Sequence, residues 1–147
     1  MNKKHFYFAT ASLSVLAWLV AVGFPSSSGA QLTGRTRNVG LQVSEYSFRP
    51  KTGLKVAKGE TITFTFSNRG KMVHEAVVGT VAMQAAHEKE MASMGGMSMP
   101  DEADRVELKP GQSKKLTIKF DKAGTFEIAC HQPNHYKLGM KVVVNVR

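Results

Sequence analysis

The 147-residue chain holds a single cysteine, Cys130, and so closes no disulfide within itself. A lone cysteine also lacks the paired short spacings by which structural zinc is usually enclosed. No nucleophile turn or set of oxyanion donors marks Cys130 as the thiol of a Cys-His hydrolase. Positive charge is abundant, with a formal net charge of +9, but it is never gathered into a run. Arg35, Arg49, Lys58, Lys89, Lys109 and Lys122 are scattered along the chain. Without a basic stripe or a recognition signature, nucleic acid is excluded as a partner. The charge reads as solubility, and as steering towards an acidic partner. Repeats at solenoid or propeller period are also absent.

The first segment is a targeting signal. Lys3 and Lys4 precede an uncharged run from Phe6 to Phe24, Pro25 breaks that run, and Ser28-Gly29-Ala30 supplies small residues for cleavage. Residues 1–30 therefore read as a signal peptide cut after Ala30, with no membrane association afterwards. The rival reading is an uncleaved anchor, because nineteen uncharged residues just span a bilayer. Its serines, threonine and alanines dilute it for that purpose. Removal of residues 1–30 leaves 18 Lys+Arg against 11 Asp+Glu, a formal +7, on 117 residues, enough for one core and not two. In an exported domain a lone thiol needs a reason. An inert buried residue, a metal ligand, a nucleophile and an intermolecular bridge are the alternatives.

After a flexible segment, 31–38, the pattern from residue 39 to 147 turns to period two. Val39-Gly-Leu41-Gln-Val43, Thr61 to Phe66, Leu116 to Phe120, Thr125 to Cys130 and Met140 to Val146 alternate apolar and polar residues. Turn signals such as Lys58-Gly59-Glu60, Asn68-Arg69-Gly70 and Lys109-Pro110-Gly111 separate them. The expectation is an all-β antiparallel sandwich of seven or eight strands. From about 80 to 104 the period changes. Met83, His87, Met91 and Met94 fall on one helical stripe, ended by Gly95-Gly96. This Met-rich, partly helical insertion has two readings. The stripe is the packed face of a helix, with Met83 in the core. Alternatively His87, Met91, Met94, Met97 and Met99 form a soft surface site for Cu(I).

The segment CHQPNHYKLGM carries the chemistry. Cys130 ends a strand, Pro133 and Asn134 favour a turn, His135 follows five residues after the thiol and Met140 five after that. Gly139 permits a tight backbone before Met140. Thiolate, imidazole and thioether are ligands suited to copper cycling between Cu(II) and Cu(I). His74, just after the Asn68-Arg69-Gly70 turn, is the natural second imidazole. The bland readings are a strand-end histidine for His74 and ordinary core for Met140. His131 directly follows Cys130, so period two turns its side chain away from the thiol's face. A relay or a surface role is left for it.

These residues resemble the cupredoxins, the type 1 copper proteins that include plastocyanin, azurin and pseudoazurin. The likeness runs from about Leu41 to Arg147. It rests on Lys58-Gly59-Glu60-Thr61 before a Phe-rich strand, the turn before His74, and Gly124-Thr-Phe-x-x-x-Cys130 leading to His135 and Met140. It implies a Greek-key β-sandwich or barrel holding one copper, with His74, Cys130, His135 and Met140 at the ligand positions. Two extra residues separate Cys130 from His135 relative to plastocyanin. The Met- and His-bearing insertion is most similar to periplasmic cupredoxins associated with copper tolerance. That likeness implies one-electron Cu(II)/Cu(I) activity in periplasmic copper handling, no substrate turnover, and a redox or copper-trafficking protein partner. A soluble electron carrier to a respiratory partner and a metal-free interaction sandwich are the competing readings. Multicopper oxidases resemble the Cys130-His131 pair, but they need further ligands for a second copper.

Overall fold

Alternation in the sequence becomes alternation in burial. In β4 (Thr61–Asn68), Ile62, Phe64 and Phe66 are fully buried while the threonines between them are partly exposed. The computed structural model describes residues 34–50, 53–95, 97 and 99–147, so the signal-peptide reading and Gly96 lie outside the described residues. Two sheets face each other. One has the order β2-β1-β4-β7, with β1 (Thr36–Ser44), β2 (Ser47–Arg49) and β7 (Ser113–Lys119). The other has the order β3-β9-β8-β5-β6, formed by β3 (Leu54–Val56), β5 (His74–Thr80), β6 (Arg105–Leu108), β8 (Gly124–Ala129) and β9 (Lys141–Val146). Between them lies one apolar cluster, with Phe48, Phe64, Phe66 and Leu116 meeting Val78, Ile128, Val142 and Val144.

The sheets are mixed rather than antiparallel. β1 runs parallel to β4, from Thr36 opposite Thr61 to Val43 opposite Asn68, and β3 runs parallel to β9. The reason is the path between β1 and β4. It passes through β2 in one sheet and β3 in the other, so β4 enters in the direction of β1. Period two reports which face is buried and says nothing about strand direction. β2 and β3, three residues each, are too short to show a period, and β1 begins at Thr36, inside the segment expected to be flexible.

Helix α1 (Val81–Ser93) follows β5 directly. Thr80 caps it, its hydroxyl accepting from the Met83 N–H at 3.3 Å, and Gly95 with φ +67° lies just past its end. The buried line is Gln84, His87 and Met91, at i, i+3 and i+7. Met83 is 46% exposed and not in the core, which corrects the expected stripe by one position. The covered surface explains the shift, because it is polar. Gln84 donates to the carbonyls of Val77 (3.0 Å) and Glu127 (2.9 Å), and His87 meets the Glu75 carboxylate. With α1 outside and the core inside, β5 is buried from His74 to Gly79 without alternation.

Phe64 is fully buried, stacked on Phe66 at 5.8 Å and edge-on to Phe120 at 6.4 Å. Phe64→Ala is expected to cost about 3–5 kcal/mol, through lost transfer energy plus a cavity, read from urea unfolding midpoints at unchanged slope.

Candidate metal centre

Strand β8 delivers Cys130 into the core end of the sandwich with no exposed surface. The loop after it closes on itself through its backbone. His135 N–H donates to Gln132 O at 2.9 Å, Met140 N–H to His135 O at 3.0 Å, and Cys130 N–H to Met140 O at 3.2 Å. Asn134 (φ +69°) and Gly139 (φ +86°) supply the left-handed positions the closure requires. The result sets His135 Nδ1 3.3 Å from Cys130 Sγ.

His74 arrives from the other side, and Asn68 sets its approach. The buried Asn68 amide donates to Met72 O at 2.8 Å and Leu108 O at 2.9 Å, while its side-chain oxygen accepts from Gly70 N–H at 2.9 Å. The Glu45 carboxylate receives the N–H groups of Lys71 and Met72 and packs where a side chain on residue 70 would project. The loop is thereby held just before β5, and His74 Nδ1 lies 3.9 Å from Cys130 Sγ. The ring centroids of His74 and His135 are 5.1 Å apart, and Tyr46 covers His135 edge-on at 4.9 Å.

The donor atoms of His74, Cys130 and His135 all lie within 4.8 Å of one another, and all three residues are buried. Among the described residues no other group of three His, Cys, Asp or Glu side chains is so arranged. Met140 is fully buried and is placed beside the trio by the two backbone bonds above. Burial pushes the His74 pKa down to about 4, helped by the neighbouring His135 imidazole, and lowers that of His135 as well. Both rings are therefore neutral, the state in which imidazole ligates. Burial pushes the Cys130 thiol up to about 12, so it stays protonated until a cation replaces the proton. The 3.9 Å spacing to His74 is long for a hydrogen bond but natural for two donors around a common point. His74 Nε2 is the one buried side-chain nitrogen or oxygen without a partner among the described residues. A thiol and two neutral imidazoles fit a copper ion in kind.

The residues of the expected soft surface site differ in exposure. His87 and Met91 are buried under α1, with His87 held between Glu75 (3.4 Å) and Glu90 (3.2 Å), while Met97 is 58% exposed and Met94 and Met99 are half-buried. His131 does turn away from the thiol, but not to the surface. Its outward direction leads under α1, where it is buried, stacked on Tyr136 at 4.7 Å and bonded to Gln84 and Glu88, each at 2.7 Å. Glu75 is the residue that sequence reasoning misses. Its N–H points at Cys130 Sγ (3.5 Å), one carboxylate oxygen accepts from His131 N–H (2.9 Å), and the other meets His87. A signal for it exists in the sequence of β5, where a carboxylate directly follows His74.

The displaced imidazole has a pH consequence for the metal-free protein. His74 takes up a proton near 6.5 when unfolded and only near 4 when folded. Between these values the unfolded chain binds the extra proton, so stability is full above the upper value and falls as pH drops through the window. The urea midpoint of the metal-free protein is expected to fall on acidification across that range, and His74→Asn to flatten the fall.

Residues 36–147 match the family described as copper binding proteins, plastocyanin/azurin family. The chain is 32% identical to the copper-resistant cuproprotein CopI of Pseudomonas aeruginosa, over 76% of each chain. It is 42% identical to the protein of that name from Rubrivivax gelatinosus, over 66% of this chain and 59% of that one. Among solved structures, reduced auracyanin from Roseiflexus castenholzii superposes with a TM-score of 0.63 at 28% identity, over 78% of this chain and 99% of that one. Auracyanin B, at 20% identity and a TM-score of 0.62 over 75% of this chain and 88% of that one, shares the fold. With the mixed sandwich and the buried His-Cys-His cluster in place, the chain belongs to the plastocyanin/azurin family of copper-binding proteins.

Proposed function

We propose that this is an exported copper-tolerance cupredoxin, acting in the periplasm as a one-electron copper protein and turning over no substrate. The observation that carries the reading is the convergence of His74 Nδ1 and His135 Nδ1 on the buried sulfur of Cys130. These three side chains would hold the ion, with Met140 as the weak fourth ligand. A bound copper ion supplies exchange of one electron between Cu(II) and Cu(I). The protein's part is to fix the donors. Asn68 and Glu45 hold the loop before His74, the closed 130–140 loop holds His135, and Tyr46 shields it from water. A buried set held in this way needs little rearrangement when the charge changes.

Several observations support the finer points. The segment before Gln31 has the sequence of an export signal, and no helix among the described residues is long and apolar enough to cross a membrane. Two similar proteins carry the name copper-resistant cuproprotein, which favours tolerance over a respiratory carrier. A thiol pushed up to about 12 and fully enclosed is a poor nucleophile, in keeping with a protein that is not an enzyme.

Addition of Cu(II) to the purified protein is expected to produce an intense visible band from thiolate-to-copper charge transfer, absent in Cys130→Ala. In a host dependent on this chain, Cys130→Ala is expected to abolish growth in copper while leaving respiratory electron flow unchanged. A band that survives Cys130→Ala would refute the ligand assignment; impaired electron flow with normal growth in copper would favour the carrier.

A further inference from the structure

Beside the His-Cys-His cluster, and separated from it only by the Cys130-His131 peptide, the underside of α1 meets the 130–140 loop. A cavity of about 290 Å³ lies at this junction, lined by Glu88 and Met91 from the helix and by His131, Pro133, Asn134 and Lys137 from the loop. The protonation of His131 in this wall follows from its neighbour. The Gln84 side-chain nitrogen lies 3.0 Å from Val77 O and 2.9 Å from Glu127 O, two groups that only accept. It is therefore the amide NH₂, and the oxygen of Gln84 faces His131 Nε2 at 2.7 Å. That oxygen also only accepts, so Nε2 carries the hydrogen.

The ring's other nitrogen, Nδ1, faces a carboxylate oxygen of Glu88 at 2.7 Å. Two lone pairs at this distance need a positive charge between or beside them. A shared proton would serve, and so would a metal ion. Two bonds of about 2 Å from nitrogen and oxygen to one ion, set near a right angle, span a similar distance. The thioether of Met91 takes no part in proton sharing, yet it lines the same cavity. The surroundings are acidic as well. Glu75, Glu88 and Glu90 stand around the imidazoles of His87 and His131, whose rings are 4.9 Å apart, with Lys137 the cation on the cavity wall.

We propose a second copper site at this junction, formed by His131 Nδ1, the Glu88 carboxylate and the Met91 thioether. Nitrogen, oxygen and thioether together select copper over harder divalent ions. The site rests on the reading above only for the identity of the ion, and it gives His131 a ligand role of its own. Glu88 sits on the helix with its side chain 23% exposed, so its carboxylate can move to admit the ion.

Copper itself is the probe. Cu(I) is titrated anaerobically into the full chain against a competing chromogenic chelator, and the visible band is recorded separately after Cu(II) loading. The wild-type chain is expected to retain a second equivalent of copper that is lost in Glu88→Gln and in Met91→Leu, both of which keep the visible band. Cys130→Ala is expected to lose the band and keep the second ion. The glutamine amide at 88 donates to Nδ1, so the Glu88→Gln protein stays folded. Retention of one ion by the wild type, or of both ions by the Glu88→Gln, Met91→Leu double variant, overturns the second site and leaves a shared proton at His131. A missing band in a wild-type chain whose second ion is lost on Glu88→Gln supports this site while refuting the His74-Cys130-His135 reading.

Discussion

The backbone N–H of Glu75 points at the sulfur of Cys130 at 3.5 Å, and the rest of the site is arranged around that contact. It ties the start of β5 to Cys130, the first residue after β8, joining two segments far apart in sequence and neighbours in one sheet. His74 precedes this anchor by one residue, so its imidazole is delivered to the sulfur by the same pairing that builds the sheet. The Glu75 carboxylate extends the tie by accepting from His131 N–H, which holds the chain where it leaves the strand. A buried thiol needs such partners, because no water reaches it to stabilise either its protonated or its metal-bound form.

The helix between β5 and β6 is part of this arrangement rather than an addition to it. In a sandwich with one face in water, the outward residues of β5 and β8 would be solvated. Here α1 covers them, and the buried outward groups are Glu75, Glu127 and His131. Each is satisfied by a specific partner. Glu127 receives the Tyr136 hydroxyl at 2.6 Å and Lys141 Nζ at 3.0 Å, and His131 meets Gln84 and Glu88. Buried polar groups of this kind are costly unless paired, which accounts for a helix whose buried line is Gln84, His87 and Met91. The metal loop therefore has the apolar core on one side and a polar seam on the other.

Much of this was legible in the residues. Ile62, Phe64 and Phe66 announce a half-buried strand, and Pro133, Asn134 and Gly139 announce the turn that folds His135 back. Type and spacing mark Cys130 and His135 as copper donors, the resemblance to cupredoxins adds His74, and the structure brings the three donor atoms together. The gaps share one cause. The helical stripe puts Met83 in the core, and period two turns His131 away from the thiol without saying what it meets, because periodicity reports only which way a residue points. The polar helix face decides both outcomes, exposing the methionine and enclosing the histidine. Strand direction was illegible for a related reason, since parallel and antiparallel strands share the same alternation.

The candidate donors, the turns between them and most of the strands that carry them are legible along the chain, because they depend on residue chemistry and on contacts a few positions apart. The folded chain alone sets β1 parallel to β4, brings Glu75 to Cys130 and seals the outward face of the metal loop with α1. These features join segments separated by tens of residues, and no local pattern records which of the available faces will meet. The seam under the helix belongs wholly to that second kind. It exists because two polar surfaces were brought together and had to satisfy each other out of reach of water.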